Sequence, residues 1–201
     1  MAQIKKTKIE LKNQRDALRR YQRYLPMLQL KKQQLQLEVQ HVEQALVRTR
    51  EEAATLKRQA AAWLALFSEA SDPSDRLSGP ATVTLGEDNI AGVAVPRLDA
   101  FTVADPEHDL FATPAWYDEA YPLVAQLAER RARQAILEAQ IRHLSEELRI
   151  TSQRVNLFEK IMIPRCKETI RIIKVYLGDL LTADIARGKA AKKATQGAAG
   201  T

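Results

Sequence analysis

An apolar repeat that holds one frame from Ile4 to Phe67 constrains this chain more than any other feature. With Ile4 at position a, successive sevens give Ile4, Leu11, Leu18, Leu25, Lys32, Val39, Leu46, Ala53, Ala60 and Phe67. Position d reads Thr7, Gln14, Tyr21, Leu28, Leu35, Val42, Thr49, Leu56 and Trp63. A stripe recurring every 3.5 residues keeps facing a partner only where two helices supercoil. At about 1.5 Å per residue such a helix would run roughly 100 Å, more than a small round core can cover. A second helix must therefore lie beside it. Lys32, the one charged residue at position a, reads as a register-setting polar residue.

The second helix follows a middle segment. From Leu127 the sevens give Gln134, Ile141, Leu148, Val155 and Met162, with Leu123, Arg130, Leu137, Leu144, Thr151 and Phe158 at the other seam position. The stripe continues through Cys166, Ile170, Ile173 and Leu177 at helical spacing. Similar lengths and a covalent connection make an antiparallel hairpin the economical arrangement, with both termini at one end. Four Phe, five Tyr, two Trp and seven Gly among 201 residues agree with long helices rather than a bulky globular core. The expected class is all-α: a long antiparallel two-helix coiled coil with a small middle segment containing a β-hairpin. The expected divisions are residues 1–70, 71–114 and 115–185, with a disordered tail over 186–201.

The middle segment carries five of the eight prolines (Pro73, Pro80, Pro96, Pro106 and Pro114) and three glycines (Gly79, Gly86 and Gly92). Ala81–Leu85 and Ile90–Val95 are β-prone runs on either side of Gly86-Glu87-Asp88-Asn89, which reads as the hairpin turn. Pro26 and Pro164 interrupt the helices. If Glu69 faces Trp116, opposed residue numbers sum to about 185, which sets Pro26 close to Pro164 in height. Each proline removes a helical hydrogen bond and favours a kink, so a bent rod is expected. The alternative is two independent, locally accommodated kinks.

Charge is distributed by height. Residues 1–35 hold ten basic side chains against Glu10 and Asp16. Residues 164–193 hold eight against Glu168, Asp179 and Asp184, whereas 69–121 hold eleven acids against Arg76 and Arg97. The net charge of +6 conceals this polarity. A basic end is compatible with nucleic acid, with a solvated helical face or with an acidic partner surrounding it. The aromatic residues among these charges are Tyr21, Tyr24 and Tyr176, not the repeated series that a stacking platform requires, so nucleic acid is not expected.

Catalytic chemistry is not expected. The sequence lacks a P-loop, His41, His108 and His143 have no metal-ligand spacing, and Cys166 lies on the apolar stripe without a CxxC partner. The expectation is no catalytic residue, no metal and no cofactor. The longest apolar run, Ala60–Phe67, is far short of a membrane span, and no signal-peptide pattern opens the chain, so direct membrane insertion is not expected.

Two blocks carry a family resemblance. The first runs from Gln14-Arg15-Asp16-Ala17-Leu18 through Tyr24-Leu25-Pro26-Met27-Leu28-Gln29-Leu30-Lys31-Lys32-Gln33-Gln34-Leu35. The second comprises Val155-Asn156-Leu157-Phe158-Glu159-Lys160, Ile163-Pro164-Arg165-Cys166-Lys167 and Tyr176-Leu177-Gly178-Asp179. In order and separation they resemble the signatures of the D subunits of the V-type and A-type rotary ATPases. The resemblance implies a central-stalk rotor shaft, itself non-catalytic, whose terminal end enters a hexamer of A and B subunits. It further implies an F subunit on the lower part, a funnel-shaped subunit above the membrane ring, and a cytoplasmic, peripheral location.

On that reading Arg15, Arg19, Arg20 and Arg23, with Arg165, Lys167, Arg171 and Lys174, are the expected hexamer interface. Leu85, Ile90, Val93 and Val95 are expected in a lower docking head, and Pro26 and Pro164 are the expected kinks. The rival classes are a prefoldin-like chaperone subunit, which would expose apolar tips, and a basic coiled-coil scaffold for nucleic acid.

Overall fold

The computed structural model describes residues 5–67, 80–104 and 117–198. In chain order these form α1 (Lys8–Phe67), β1 (Ala81–Ile90), β2 (Val93–Val103), α2 (Tyr117–Leu157), a π-helical segment (Phe158–Met162) and α3 (Ile163–Ala198). The chain is thus mostly long helix with one two-stranded antiparallel sheet, the class expected from the repeat. The proposed Glu69–Trp116 pairing, and residues 71–79 and 105–114 of the middle segment, lie outside the described residues. Contacts divide the chain into two compact units, Lys31–Ile150 and Met1–Leu30 with Thr151–Thr201. No helix among the described residues is long and apolar enough to cross a membrane.

In the unit Lys31–Ile150 the seam is occupied as the frame requires. Leu35, Val42, Leu46, Thr49 and Ala53 of α1 are buried, as is Leu144 of α2. Leu35, Val42 and Leu144 form one cluster with Val95 of β2, flanked by Val39, Ile90, Val93, Leu137, Ile141 and Leu148. Polar contacts fix the register at the seam margins. Lys31 Nζ lies 2.9 Å from Glu147 Oε1, and Arg50 Nη2 lies 2.8 Å from Glu138 Oε1. Gln134 Nε2 donates to the Thr49 carbonyl at 3.3 Å. Arg130 Nε lies 3.0 Å from Glu52 Oε2, close enough for attraction but not aligned as a hydrogen bond. These pairs run in the antiparallel sense. Lys32 is half-buried at its seam position, while the ion pair belongs to its neighbour Lys31.

The hairpin corrects one reading of the sequence. Gly86-Glu87-Asp88-Asn89 is not the turn but the second half of β1, paired residue by residue with Ala94–Arg97. The chain reverses at Ala91 and Gly92, whose φ angles are 52° and 78°. A two-residue turn with both central residues left-handed matches strand twist, and Gly92 adopts that conformation without a Cβ penalty. Asn89 Oδ1 accepts the Gly92 N–H at 2.9 Å and holds the turn closed. Gly86 makes room for a side chain rather than for a turn. A Cβ there would collide with the Asp99 carboxylate, which the Arg97 Nε holds at 2.8 Å beside the bulge between Thr84 and Leu85.

The inner face of the hairpin closes the apolar cluster. Val95 is 1% exposed, whereas Leu85 on the opposite face is 58% exposed. Along α3 the helical backbone continues to Ala198, past the boundary at 185 suggested by the sequence. Residues 186–193 are exposed throughout, so alanine and lysine helix propensity, not packing, sustains that last stretch.

Leu144→Ala should destabilise the chain by about 2–5 kcal/mol, because it opens a cavity against Leu35 and Val95. Leu85→Ala should stay within about 0.5 kcal/mol. Urea denaturation followed by circular dichroism measures both, and equal losses would contradict the assigned packing.

Candidate functional site

The expected cationic surface falls within one compact unit, built from the start of α1 and from the chain after Thr151. The first turn of α1 is capped locally: the Glu10 N–H donates to Thr7 Oγ1 at 3.2 Å, which satisfies one of the unpaired amides of a helix start. On the other strand of the pair, Thr151, Val155, Cys166, Thr169, Ile170 and Ile173 are buried. A strict repeat of sevens from Thr151 and Phe158 would next turn Arg165 inward; the structure turns Cys166 inward instead. The seam has shifted by one residue.

The π-helical segment accounts for that shift. The Ile163 N–H donates to the Phe158 carbonyl, five residues back, so this turn holds one residue more than an α turn. The extra residue leaves the stripe facing its partner on both sides and keeps Arg165 in solvent. Pro164 follows directly and is exposed; its ring has no N–H to offer the preceding turn. Pro26 lies inside α1 without ending it. Two aromatic contacts tie the helices together. The Tyr21 and Phe158 rings lie 5.1 Å apart at 48°, and Lys6 Nζ lies 5.0 Å from the Tyr176 ring centroid.

All eight expected interface cations are exposed. Arg15, Arg19 and Arg23 repeat every four residues along α1 beside Arg20, and Lys167, Arg171 and Lys174 follow one stripe of α3 beside Arg165. Arg171 alone is engaged: its Nε and Nη2 donate to the Glu168 carboxylate at 2.9 and 2.7 Å. That bidentate bond holds the Glu168 carboxyl below its ordinary range and the Arg171 guanidinium above its own. The other seven have no ion pair among the described residues. Seven unpaired cations on two adjacent helices attract an acidic surface without requiring close interlocking.

The four expected docking residues separate. Val95 is sealed in the cluster with Leu35, Val42 and Leu144, and Ile90 and Val93 pack against that cluster. Leu85 alone of the four is exposed. The hairpin therefore leans on the helices through three of the four residues, because an isolated two-stranded hairpin is marginal and needs an apolar support.

One class of surface residue escaped the sequence reading. Tyr24, Met27, Val175, Leu181 and Ile185 are exposed apolar side chains interspersed with the cations. They lie outside the seam, and a search for seam positions passes over them; apolar residues at the outward positions of the repeat were the available signal. Their presence also means that apolar exposure at this end does not by itself separate a rotor shaft from a chaperone tip. Among the described residues no group of three potential metal ligands occurs.

The family model that describes the D subunit of ATP synthase matches residues 10–193. The chain is 45% identical over 192 residues to the V-type ATP synthase D subunit of Borreliella burgdorferi, covering 96% of this chain and 95% of that protein. It is 33% identical over 201 residues to the V-type ATP synthase D subunit of Chlamydia trachomatis serovar L2, covering 97% of each. The protein of the same name from Chlamydia pneumoniae is 32% identical over 193 residues, covering 95% of this chain and 92% of the relative.

Burial pushes the Cys166 thiol above its ordinary range, against a smaller opposing pull from Arg165. Little thiolate then exists near neutrality, and labelling of the folded chain at pH 8 should be about tenfold or more slower than that of free cysteine. Stopped-flow thiol titration with and without urea measures this; equal rates would place Cys166 outside the seam.

Proposed function

The chain belongs to the family of ATP synthase D subunits, and from that premise we propose how it works as the central-stalk subunit of a rotary V-type or A-type complex. Its role is mechanical coupling between the catalytic hexamer and ion translocation, without chemistry of its own. The family match along nearly the whole length of chain and relatives is the observation that carries the reading. Neither a prefoldin-like chaperone nor a nucleic-acid scaffold is favoured beside it.

The basic end enters the hexamer of A and B subunits. There Arg15, Arg19, Arg20, Arg23, Arg165, Lys167, Arg171 and Lys174 meet acidic surfaces lining its bore. Three chemically equivalent catalytic interfaces adopt different states only if the shaft offers each a different face. The α1 and α3 surfaces differ in sequence and spacing, which supports that asymmetry. Each interface responds to the difference in contact energy between its states, the quantity that any such coupling requires. Unpaired cations suit the task because attraction at Debye-length range persists as the shaft turns.

Pro26 and Pro164 are proposed to bend the two helices. The π turn beside Pro164 supports this reading, since prolines and π turns are recognised causes of helix kinks. Leu85 and its neighbours on the hairpin contribute to a lower docking head; an F subunit and the funnel-shaped subunit above the membrane ring are the partners of this lower part. The subunit is peripheral to the membrane.

Replacing Arg15, Arg19, Arg20 and Arg23 together by Glu should abolish coupling between ATP turnover and rotation in the reconstituted complex. A single Arg19→Ala exchange should cost less than about 1 kcal/mol of binding, as expected of an exposed charge. Single-molecule rotation with an attached bead measures both; unchanged torque in the fourfold variant would overturn the assigned interface.

A further inference from the structure

The two edges of the hairpin are treated differently. Ile90 pairs with Val93 across the two-residue turn, so alternation of the ladder directs the backbone groups of Ala94 and Pro96 away from β1. Both carbonyls are occupied. Gln140 Nε2 donates to Pro96 O at 2.7 Å, and His143 Nδ1 lies 3.3 Å from Ala94 O. Pro96 has no N–H to leave unpaired. Over Ala94–Pro96 the outer edge of β2 is thus closed by α2 and by proline.

The same alternation directs the backbone N–H and C=O groups of Val83, Leu85 and Glu87 outward from β1. Among the described residues nothing bonds to them. Asn89, next in the series, is blocked, since its N–H donates to Asp88 Oδ1 at 2.8 Å. Eight of the ten β1 residues are exposed, and the strand has neither proline nor lysine. Natural sheets protect such an edge with those residues, with a covering element or by pairing it with another strand. Over Ala94–Pro96 the opposite edge has two of these protections; β1 has neither, and carries only the acidic Glu87 and Asp88 and the bulge beside Leu85.

Resting on the reading that the chain works within a multisubunit complex, we propose that β1 accepts an added strand from another subunit, paired along Val83, Leu85 and Glu87. The side chains of these residues share the face turned away from the helices, where Val83 and Leu85 are 43% and 58% exposed. They fix the chemistry of the occupant. It is an extended segment with apolar side chains beside Val83 and Leu85 and a lysine or arginine beside Glu87. Glu87 and Asp88 have no ion pair among the described residues, while Arg97, the one cation of the sheet, is already held by Asp99. Main-chain bonds supply the attachment and alternate side chains the selectivity.

Amide hydrogen exchange tests this in the full chain, free and in the assembled complex. Val83, Leu85 and Glu87 amides should exchange about tenfold or more slower in the complex than in the dilute free chain. Glu87→Pro should remove that protection and weaken assembly about tenfold, because it deletes an outward N–H at a position opposite Pro96 where the β1–β2 ladder loses no bond. Retained protection of the Thr82 and Thr84 amides in this variant verifies that the hairpin is intact. Glu87→Lys should also weaken assembly, through charge alone.

Unchanged exchange at the three amides in a complex that does assemble would overturn the strand addition and leave the stalk reading intact. Slow exchange already present in the dilute free chain would assign the edge to other residues of this chain. Protection that grows with the concentration of the chain alone would assign it to a second copy. Failure of the native chain to assemble with the other subunits would overturn both this inference and the function on which it rests.

Discussion

A seam one side chain wide, repeated every half-heptad, is the constraint on which everything else depends. Helices this long have no globular interior to enter, so each turn must find its burial in the facing helix. The consequence is visible wherever the repeat would fail. At Lys31 a half-buried ion pair with Glu147 holds the margin of the seam. At Thr49, a polar seam residue, the hydroxyl is returned to the Ala45 carbonyl at 2.8 Å so that burial leaves no unpaired donor. Between Val155 and Cys166, where the sequence contains one residue too many for sevens, a π turn absorbs it.

Because the seam consumes the apolar residues at positions a and d, the outward positions are available for other work. In the unit that holds both ends of the chain they carry cations, among them seven of the eight expected interface residues without ion pairs among the described residues, together with exposed apolar side chains. A surface of that composition binds through long-range attraction supplemented by local contact. Such a surface suits a shaft that must meet several similar faces in succession more than one that must lock to a single face. The chain belongs to the family of ATP synthase D subunits, and the function proposed for these features rests on that membership.

The hairpin shows how a small sheet survives outside a globular core. One face is secured by Val95 in the helical cluster, one edge by Gln140 and His143, and the turn by Asn89. The remaining edge belongs to β1, and the remaining face is shared by both strands. Among the described residues, support for the two strands comes from one side, so a partner approaching from the other side would meet a prearranged ladder and would not have to order it first. Preorganisation of this kind lowers the entropic cost of association.

By itself the sequence determined the long helices, their antiparallel sense, the presence of a hairpin and the cationic surface near the ends of the chain. Each of these follows from periodicity or composition, properties that are local or that repeat often enough to be counted. It did not determine where the hairpin turns, since Asn89, the last residue of the Gly-Glu-Asp-Asn run that first suggests a turn, closes the loop over Ala91 and Gly92 beyond that run. Nor did it separate Val95, which is sealed, from Leu85, which is exposed, because that depends on which face of a short sheet meets Leu35, Val42 and Leu144. The extra residue before Pro164 was legible as a break in the count of sevens, but only packing of both flanking stripes against one partner converts that break into a π turn. Tertiary contacts decided these points because each balances a local preference against burial in a helix distant in sequence, and neither side of that balance is written at the position itself.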